Sequence, residues 1–354
     1  MSSLNKEAVS LAASLSPSFN FVQNCYVIDG GAIYFSQGGG SIASHNTVVN
    51  SNSAFGVNQS YGNFVEYNEA AGVPVSTADT GVIYINGSAD ALGNHVRYNF
   101  FHDSNKARSD PFGIYFDDMS SGNYAYCNIL KDCNIFWHGG SDHVAYNNIV
   151  MNSPTNAIRD SANYSKGNQL NGIFVSQYLR VGGYRTNFEN ESIFKGNSIA
   201  WASQYPAMTA WLSELPEFRY RVGEEQGLKW WDYSKTEKDQ NFLAVKRNVY
   251  KNNVIYASNP IQSDCGGEVK QFVETNAEYK KDDLYTLQDG TKIPVKDAIF
   301  QDFDNNNFNL RQDSIVYSDI PSFEELPDTQ KIGVIVRDDL MKKRFCISDV
   351  HLSR

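Results

Sequence analysis

Two adjacent aspartates and one histidine are the side chains of this chain that could do chemistry together. Asp117 and Asp118 follow the apolar run FGIYF, and His138 comes 20 residues after Asp118. Adjacent carboxylates push each other's pKa apart, so one carboxyl can hold a proton while the other is ionised. Hydrolysis of a glycosidic bond requires this division of roles between two carboxyl groups. The three residues predict an acid–base site if one turn of a coil brings His138 beside the aspartates.

A repeated asparagine supports such a coil. Five segments share a polar–apolar alternation that ends in Asn, and the asparagines are 22, 31, 29 and 20 residues apart. These asparagines are Asn46, Asn68, Asn99, Asn128 and Asn148, and a later segment places Asn253 in the same pattern. The shorter spacings, 20 and 22, give the length of a repeat without an added loop. Short strands at this repeat length are typical of a parallel β-solenoid, and the leucine lattice of leucine-rich repeats is missing. One inward Asn per coil predicts a ladder of amides that hydrogen-bond the coils above and below.

A second set of segments predicts which side chains point outward. In GGAIYFSQGGG, TGVIYINGSAD, FGIYFDDMSSG and CNIFWHGGSD, an Ile is followed by an aromatic and another apolar residue. Because strand side chains alternate, an inward Ile leaves two outward columns. The first column is Tyr34, Tyr84, Tyr115 and Phe136, and the second is Ser36, Asn86, Asp117 and His138. Asp29, Asp79 and Asp110 recur seven residues before the second column, where an Asp also has the alternative role of a structural turn residue.

These patterns predict an all-β fold, a right-handed parallel β-helix with a helix-containing insertion and a C-terminal cap. The predicted divisions are an N-terminal segment at 1–24, a β-helix domain at 25–320 and a C-terminal cap or tail at 321–354. The insertion is expected at about 163–245. A short helix is expected in QYPAMTAWLSELPEF, where Met208, Trp211, Leu212 and Leu215 have helical spacing. The polar start of the chain runs directly into a repeat, as expected of an N-terminal truncation or an alternative start.

Composition and charge exclude several classes of partner. The formal net charge is −10 and no basic run occurs, which argues against nucleic acid. The five cysteines are an odd number without CxxC spacing, so neither a metal nor a cofactor site is predicted. No segment reads as a transmembrane span or a signal peptide. We expect a monomer that binds neither nucleic acid nor membrane.

Five motifs resemble those of secreted bacterial right-handed β-helix glycosidases over roughly residues 25–320. They are DGGAIY, DTGVIY, GIYFDDMSSG, HGGSDHVAYNNIV and FNLRQDSIVY. The nearest group is glycoside hydrolase family 141, which includes fucosidase and xylanase activities on plant cell-wall glycans. The resemblance implies a secreted or periplasmic full-length protein and a pair of catalytic aspartates on nearby coils, matching Asp79 and the Asp117–Asp118 pair. Direct contact requires a bend before Thr80, because a straight strand would separate Asp79 from Asp117 by roughly 23 Å.

The residues and the resemblance together predict a glycoside hydrolase acting on a plant or microbial polysaccharide or oligosaccharide. The expected catalytic residues are Asp79, Asp117 and Asp118, and the expected substrate-binding residues are His138, Tyr84, Tyr115, Asp29, Asp110 and Tyr34. His138 is expected to orient the carboxylates, and the tyrosines are expected to stack on sugar rings.

Two alternatives stay open at this point. One is a polysaccharide lyase, which needs a base and a cation beside a uronate. The other is a non-catalytic carbohydrate-binding β-helix. The dipeptide DD followed one coil later by HG also resembles polygalacturonases, whose NTD and RIK motifs are not found.

Overall fold

The computed structural model describes residues 18–74, 79–85, 91, 93–104, 111–117, 120–140, 142–161, 247–263 and 272–334. Within these residues the chain is mostly β, and short strands come in consecutive groups of three. We call each group a coil, because its three strands belong to three different sheets, named sheets 1, 2 and 3 in chain order. The predicted insertion and its helix lie outside the described residues.

The strands have these bounds. Coil 1 is β1 (Phe21–Gln23), β2 (Tyr26–Ile28) and β3 (Ile33–Gly39), coil 2 is β4 (Ile42–Ser44), β5 (Thr47–Val49) and β6 (Phe55–Tyr61), coil 3 is β7 (Phe64–Glu66), β8 (Glu69–Ala71) and β9 (Gly81–Ile85), and coil 4 is β10 (His95–Arg97), β11 (Phe100–His102) and β12 (Phe112–Phe116). Coil 5 is β13 (Tyr124–Tyr126), β14 (Ile129–Lys131) and β15 (Asn134–Trp137), coil 6 is β16 (Val144–Tyr146), β17 (Ile149–Met151) and β18 (Ile158–Asp160), coil 7 is β19 (Val249–Lys251), β20 (Val254–Tyr256) and β21 (Gln262–Ser263), and the partial coil 8 is β22 (Phe272–Glu274) and β23 (Ala277–Tyr279).

All three sheets are parallel, and strands from consecutive coils are neighbours. In the described residues, sheets 1 and 2 contain eight strands each and sheet 3 contains seven. The pairing of coils 3, 4 and 5 is in register in sheets 1 and 2. In sheet 3 it is in register apart from a shift between Phe112 and Ile114, where β12 pairs with β15. Long all-parallel sheets with few helices are compatible with the predicted parallel β-helix. The right-handed winding stays a prediction.

Residues in the left-handed backbone conformation turn the chain between sheets. Between sheets 3 and 1 the corner is glycine at Gly62 and Gly93, where positive φ is free of steric cost. Between sheets 1 and 2 the corner is Tyr67, Tyr98 and Cys127 in coils 3 to 5, with φ of 54°, 57° and 55°. A side chain costs about 1–2 kcal/mol in this conformation. The corner between sheets 1 and 2 therefore needs a stabilising interaction beside it.

The predicted asparagine ladder supplies that interaction and is confirmed. Its members follow the corner directly and are Asn46, Asn68, Asn99, Asn128, Asn148, Asn253 and, in addition, Asn276. At each step the backbone N–H and the side-chain amide of one asparagine both donate to Oδ1 of the next, at 2.8–3.1 Å. The amide's second hydrogen goes to a backbone carbonyl of the preceding coil, as Asn99 does to Val65 at 2.9 Å. Each buried amide is thus fully hydrogen-bonded across three coils.

A second ladder, outside the prediction, lies at the corner before sheet 1. The backbone N–H of Asn63 donates to Asn94 Oδ1 at 3.1 Å, and that of Asn94 to Asn123 Oδ1 at 3.0 Å. The ladder then continues through His143 and Asn248. Its signal in the sequence is an Asn five residues before four members of the first ladder, Asn68, Asn99, Asn128 and Asn253, as in NFVEYN, NHVRYN and NYAYCN.

His143 is the one imidazole among these rungs. It is fully buried between the Phe116 and Trp137 rings, whose centroids each lie 5.0 Å from its own. Its Nδ1 accepts the backbone N–H of Asn123 at 3.2 Å, so the ring is neutral with its proton on Nε2. Burial lowers the pKa of His143 to about 4. Protonation of His143 at low pH would remove the acceptor of the Asn123 N–H, so low pH weakens this step of the ladder.

The interior also contains a carboxylate. Asp160 of β18 is 1% exposed and accepts the hydroxyl of Tyr250 at 2.5 Å. The Tyr250 ring stacks on Trp137, whose ring is parallel to that of Phe116. The hydrogen bond from Tyr250 offsets part of the cost of burying the Asp160 carboxylate.

The residues after coil 8 form small elements. They are an antiparallel hairpin of β24 (Leu284–Thr286) and β25 (Lys292–Pro294), helix α1 (Val295–Ile299), a second antiparallel pair of β26 (Phe300–Asp302) and β27 (Asn307–Leu310), helix α2 (Val316–Asp319), and 3-10 turns at Phe303–Asn305 and Thr329–Lys331. Among the described helices, none is long and apolar enough to cross a membrane.

The described C-terminal part covers the side of the stacked coils. The predicted C-terminal cap or tail at 321–354 lies only partly in the described residues and stays a prediction. Val295, Ile299 and Val316 pack in one buried cluster with Ile149 and Tyr256 on the outer face of sheet 2. We call residues 322–334 the C-terminal strap. Its hydrogen bonds pass from coil 7 back to coil 2, through Ser322 to Asn252, Glu324 to Asn147, Gly333 to Tyr67 and Val334 to Thr47. The physical reason is that the outer face of sheet 2 is apolar and must be removed from water.

We expect Asn99→Ala to destabilise the protein by about 2–5 kcal/mol, because it removes the acceptor of two buried donors of Asn68. Asn305→Ala is the control, since Asn305 is exposed with a bond to Asp302. Denaturant unfolding of both variants measures the difference. Equal stabilities would contradict the role given to the ladder.

We expect stability to fall between pH 6.5 and about 4, partly because of His143. In that window the unfolded chain binds a proton at this histidine and the folded chain does not, so the free energy of unfolding decreases as pH falls. His143→Asn restores the residue type of the other rungs and should flatten the dependence. Burial and Arg97 also lower the pKa of His95 to about 4, so the variant keeps part of the pH dependence of stability. Unchanged slopes in parent and variant would refute this account.

Candidate active site

The predicted first column lies on the outer face of sheet 3. In coil order its members are Tyr34, Gly56, Tyr84, Tyr115, Phe136 and Arg159. The prediction places Tyr34 next to Tyr84, whereas strand β6, with Gly56, lies between them. The Tyr34 ring covers Gly56, since a Cβ at Gly56 would lie 2.0 Å from that ring. Tyr34 is 47% exposed and separated by a full coil from the Tyr84–Phe136 group.

Asp117 and His138 are neighbours in the second column. Each follows its strand directly, and the inter-strand bonding continues one residue further. The backbone N–H of Asp117 donates to Ile85 O at 2.9 Å, and that of His138 donates to Phe116 O at 2.8 Å. Their side chains meet, with His138 Nδ1 3.2 Å from Asp117 Oδ1. Because an ionised carboxylate only accepts, the imidazole donates from Nδ1 when Asp117 is charged.

The Asp117 carboxylate is nearly buried and accepts hydrogen bonds from three coils. Its side chain is 10% exposed. Tyr84 of coil 3 donates its hydroxyl to Oδ2 at 2.5 Å, and Tyr115 of coil 4 donates to Oδ1 at 2.8 Å. His138 of coil 5 reaches the same Oδ1. Hydrogen bonds to a carboxylate favour its charged form, so the three donors offset the cost of burying it.

Asp79 reaches the same place from a different direction. It precedes β9 at the corner between sheets 2 and 3, and it is exposed. Its Oδ1 lies 3.1 Å from the Tyr115 hydroxyl, which also contacts Asp117 Oδ1 at 2.8 Å. These two distances limit the separation of the two Oδ1 atoms to at most about 5.9 Å. The long side chain of Tyr115 spans the distance that a straight strand would leave between Asp79 and Asp117.

Tyr115 therefore has one hydroxyl proton and two carboxylate neighbours. Burial, Asp117 and Asp79, in that order, raise the pKa of Tyr115 far above its ordinary value. The hydroxyl stays protonated and can donate to one carboxylate at a time. The ring is 2% exposed and lies against Phe112, Tyr84 and Phe136. The expected stacking of a sugar on Tyr115 is thus not open in this structure, whereas Tyr84 is only half-buried.

The glycine turn after His138 has a structural requirement. Gly140 has φ of 77°, and a Cβ there would lie 1.8 Å from the carbonyl oxygen of Ser120 in the preceding coil. No side chain fits at that distance. The turn thereby packs coil 5 against coil 4 directly beside the Asp117–His138 contact.

Asp29 is not brought to this group. It is exposed at φ 49°, at the corner after β2, where its backbone N–H donates to Val49 O. The equivalent corners of coils 2 and 3 are Asn50 and Gly72, which make the same contact one coil further. Asp29 thus matches Gly72 in the fold, and its sequence match to Asp79 is misleading because coil 3 has a longer loop. Asp118 and Asp110 lie outside the described residues.

Arg159 is a member of the first column that the predicted site omits. Arg159 lies one coil after Phe136 and pairs with it in sheet 3. Its guanidinium carbon lies 4.3 Å from the centre of the Phe136 ring and 5.6 Å from the centre of the Phe112 ring. The signal available in the sequence is AIRD at 157–160, which repeats the apolar–outward alternation of NIFW one coil later.

Comparisons with protein-family models, curated proteins and solved structures found no match. The resemblance to glycoside hydrolase family 141 therefore stays a prediction. Among the described residues, no group of three His, Cys, Asp or Glu side chains is placed to hold a metal ion. What the geometry offers is two close carboxylates, one buried and one exposed, with hydroxyl and imidazole donors beside them.

Proposed function

We propose that the chain is a glycoside hydrolase on a right-handed parallel β-helix, acting outside the cytoplasm on a polysaccharide or oligosaccharide. The observation that carries the proposal is the Tyr115 hydroxyl, which contacts the carboxylates of Asp79 and Asp117 at once. Hydrolysis of a glycosidic bond needs two carboxyl groups close together in different protonation states. Burial with three donors on one side and exposure on the other provides the difference in environment.

In the proposed reaction Asp117 is the nucleophile and Asp79 the acid–base residue. Asp117 attacks the anomeric carbon while Asp79 protonates the leaving oxygen. A water, deprotonated by Asp79, then hydrolyses the glycosyl ester and releases Asp117. Retaining glycosidases place their carboxyl groups about 5–5.5 Å apart and inverting ones about 6.5–9.5 Å apart. The limit of about 5.9 Å between the two Oδ1 atoms favours retention.

The neighbouring side chains have supporting roles in this proposal. Tyr84 and His138 fix the Asp117 carboxylate by donating to its two oxygens. Tyr115 positions both carboxylates relative to each other. Sugar stacking is assigned to the half-exposed Tyr84 and, one coil beyond Gly56, to Tyr34, since aromatic faces bind the apolar faces of sugar rings.

We expect Asp117→Asn and Asp79→Asn each to lower turnover by about a thousandfold or more while the fold is kept. Asp313→Asn is the control, because Asp313 is exposed and pairs with Arg311 away from sheet 3. Release of reducing ends is measured on a panel of plant and microbial glycans. Near-normal turnover in both site variants would place the site elsewhere. Glycan binding by the parent without cleavage would favour the non-catalytic alternative.

Tyr84→Phe removes a 2.5 Å hydrogen bond to the Asp117 carboxylate and keeps the ring. We expect kcat to fall about 10- to 100-fold with KM nearly unchanged, because the lost donor orients the nucleophile. Tyr285→Phe is the control, since it removes an exposed tyrosine hydroxyl from β24, outside the proposed site. Equal kinetics for the two variants would show that Tyr84 does not act through Asp117.

A further inference from the structure

The outer face of sheet 3 in coils 1 and 2 continues the face that carries the two carboxylates. Val57 of coil 2 pairs with Ile85 of coil 3, and Ile85 pairs with Phe116 of coil 4. Asn58 and Asp117 are the next residues of the two outer strands in this set, so both belong to the second column. Two strand spacings separate their Cα atoms, which is about 10 Å along the stacked coils.

The Tyr34 ring lies over the coil 2 part of this face. A Cβ at Gly56 would lie 2.0 Å from that ring, so the ring leans from coil 1 onto the backbone of coil 2. Tyr34 is 47% exposed, and within the described part of the chain no other ring packs on it. Tyr84 and Tyr115, in contrast, contact each other with their centroids 5.3 Å apart. Tyr34 therefore keeps aromatic surface open to the apolar face of a sugar ring.

Two uncharged polar side chains lie in the column beside this ring. Ser36 and Asn58 pair with each other across β3 and β6. Ser36 is exposed and Asn58 is half-exposed, and neither side chain makes a hydrogen bond to a described residue. A hydroxyl and an amide together offer donors and acceptors, which is what recognition of sugar hydroxyls requires.

The charge of this part of the face favours a neutral sugar. The outward members of both columns in coils 1 and 2 are uncharged, namely Tyr34, Gly56, Ser36 and Asn58. The corners that lead into β3 and β9 carry Asp29 and Asp79. A uronic acid unit placed here would meet carboxylates at the corners and no cation in the two columns, so its burial would be opposed.

We propose that Tyr34, Ser36 and Asn58 form a binding subsite for a neutral sugar unit, and that the substrate is a glycan chain lying along the stacked coils. A pyranose unit of an extended glycan is about as long as one strand spacing, so the bound unit lies about two units from the cleaved bond. That position relative to the cleaved bond rests on the function proposed above. Binding to Tyr34 does not depend on hydrolysis and can be measured without it.

The test uses the full chain carrying Asp117→Asn, so that calorimetry measures binding without turnover. The probes are β-1,4-linked xylo-, cello- and manno-oligosaccharides from dimers to hexamers, with oligogalacturonates of the same lengths as the acidic comparison. In at least one neutral series we expect the Kd to fall about tenfold or more between dimer and hexamer, because only longer chains reach Tyr34. We expect the acidic series to bind more weakly than that neutral series.

Tyr34→Ala and Asn58→Ala in the same background should each weaken hexamer binding about 3- to 10-fold and leave dimer binding unchanged. Tyr34→Phe keeps the ring and should retain most of the affinity. Tyr285→Ala and Asn305→Ala are the matched controls, since both residues are exposed and lie outside sheet 3. Unfolding midpoints are measured for every variant. The comparison of chain lengths needs no substitution at Tyr34 or Asn58, so a folding defect leaves the test intact.

The outcomes separate the subsite from the hydrolase. Equal affinity for dimers and hexamers in every neutral series, absence of binding, tighter binding of oligogalacturonate, or a length dependence that survives Tyr34→Ala would each overturn the subsite. Length-dependent binding that Tyr34→Ala removes, without release of reducing ends by the parent, would keep the subsite and reject the hydrolase. Release of reducing ends at equal rates from short and long chains would keep the hydrolase and reject the subsite.

Discussion

The amide-to-amide hydrogen bond between consecutive asparagines is the interaction on which the rest of this structure depends. Each step ties the backbone and the side chain of one coil to a single oxygen of the next. The ladder sets the same register for every coil at the corner between sheets 1 and 2. Each strand therefore pairs with the strand three elements later in the chain. Outward columns are a direct consequence, because side chains in register repeat at the strand spacing.

The candidate site uses this register to assemble groups from distant parts of the chain. Tyr84 is 33 residues from Asp117 and His138 is 21 residues from it, yet both donate to its carboxylate. The different separations reflect loops of different length between ladder rungs. Loops can change length at little cost to the site as long as the ladder and strands keep their places. Asp79, which lies on such a loop, depends on Tyr115 for its position.

Periodic features of the fold could be predicted from the sequence, and features without a period could not. The Asn spacing identifies the ladder, and the Ile–aromatic pattern brings Asp117 opposite His138. The strand FGVNQSY does not fit that pattern, because Gly56 lies where coils 1, 3, 4 and 5 have an aromatic residue. The match of Asp29 to Asp79 misleads because a loop between β8 and β9 shifts the count. The same alternation, continued for one more coil, predicts the outward position of Arg159.

The C-terminal strap has a consequence for the order of folding. Repeat proteins fold largely through contacts between nearest neighbours, so coils can add one by one as the chain emerges. The strap instead joins Val334 to Thr47 across 287 residues. The apolar outer face of sheet 2 then stays uncovered until residues 295–334 have been synthesised. During that interval the growing stack of coils exposes an apolar surface that is prone to aggregation. The coils synthesised first are the last to be covered by the C-terminal strap.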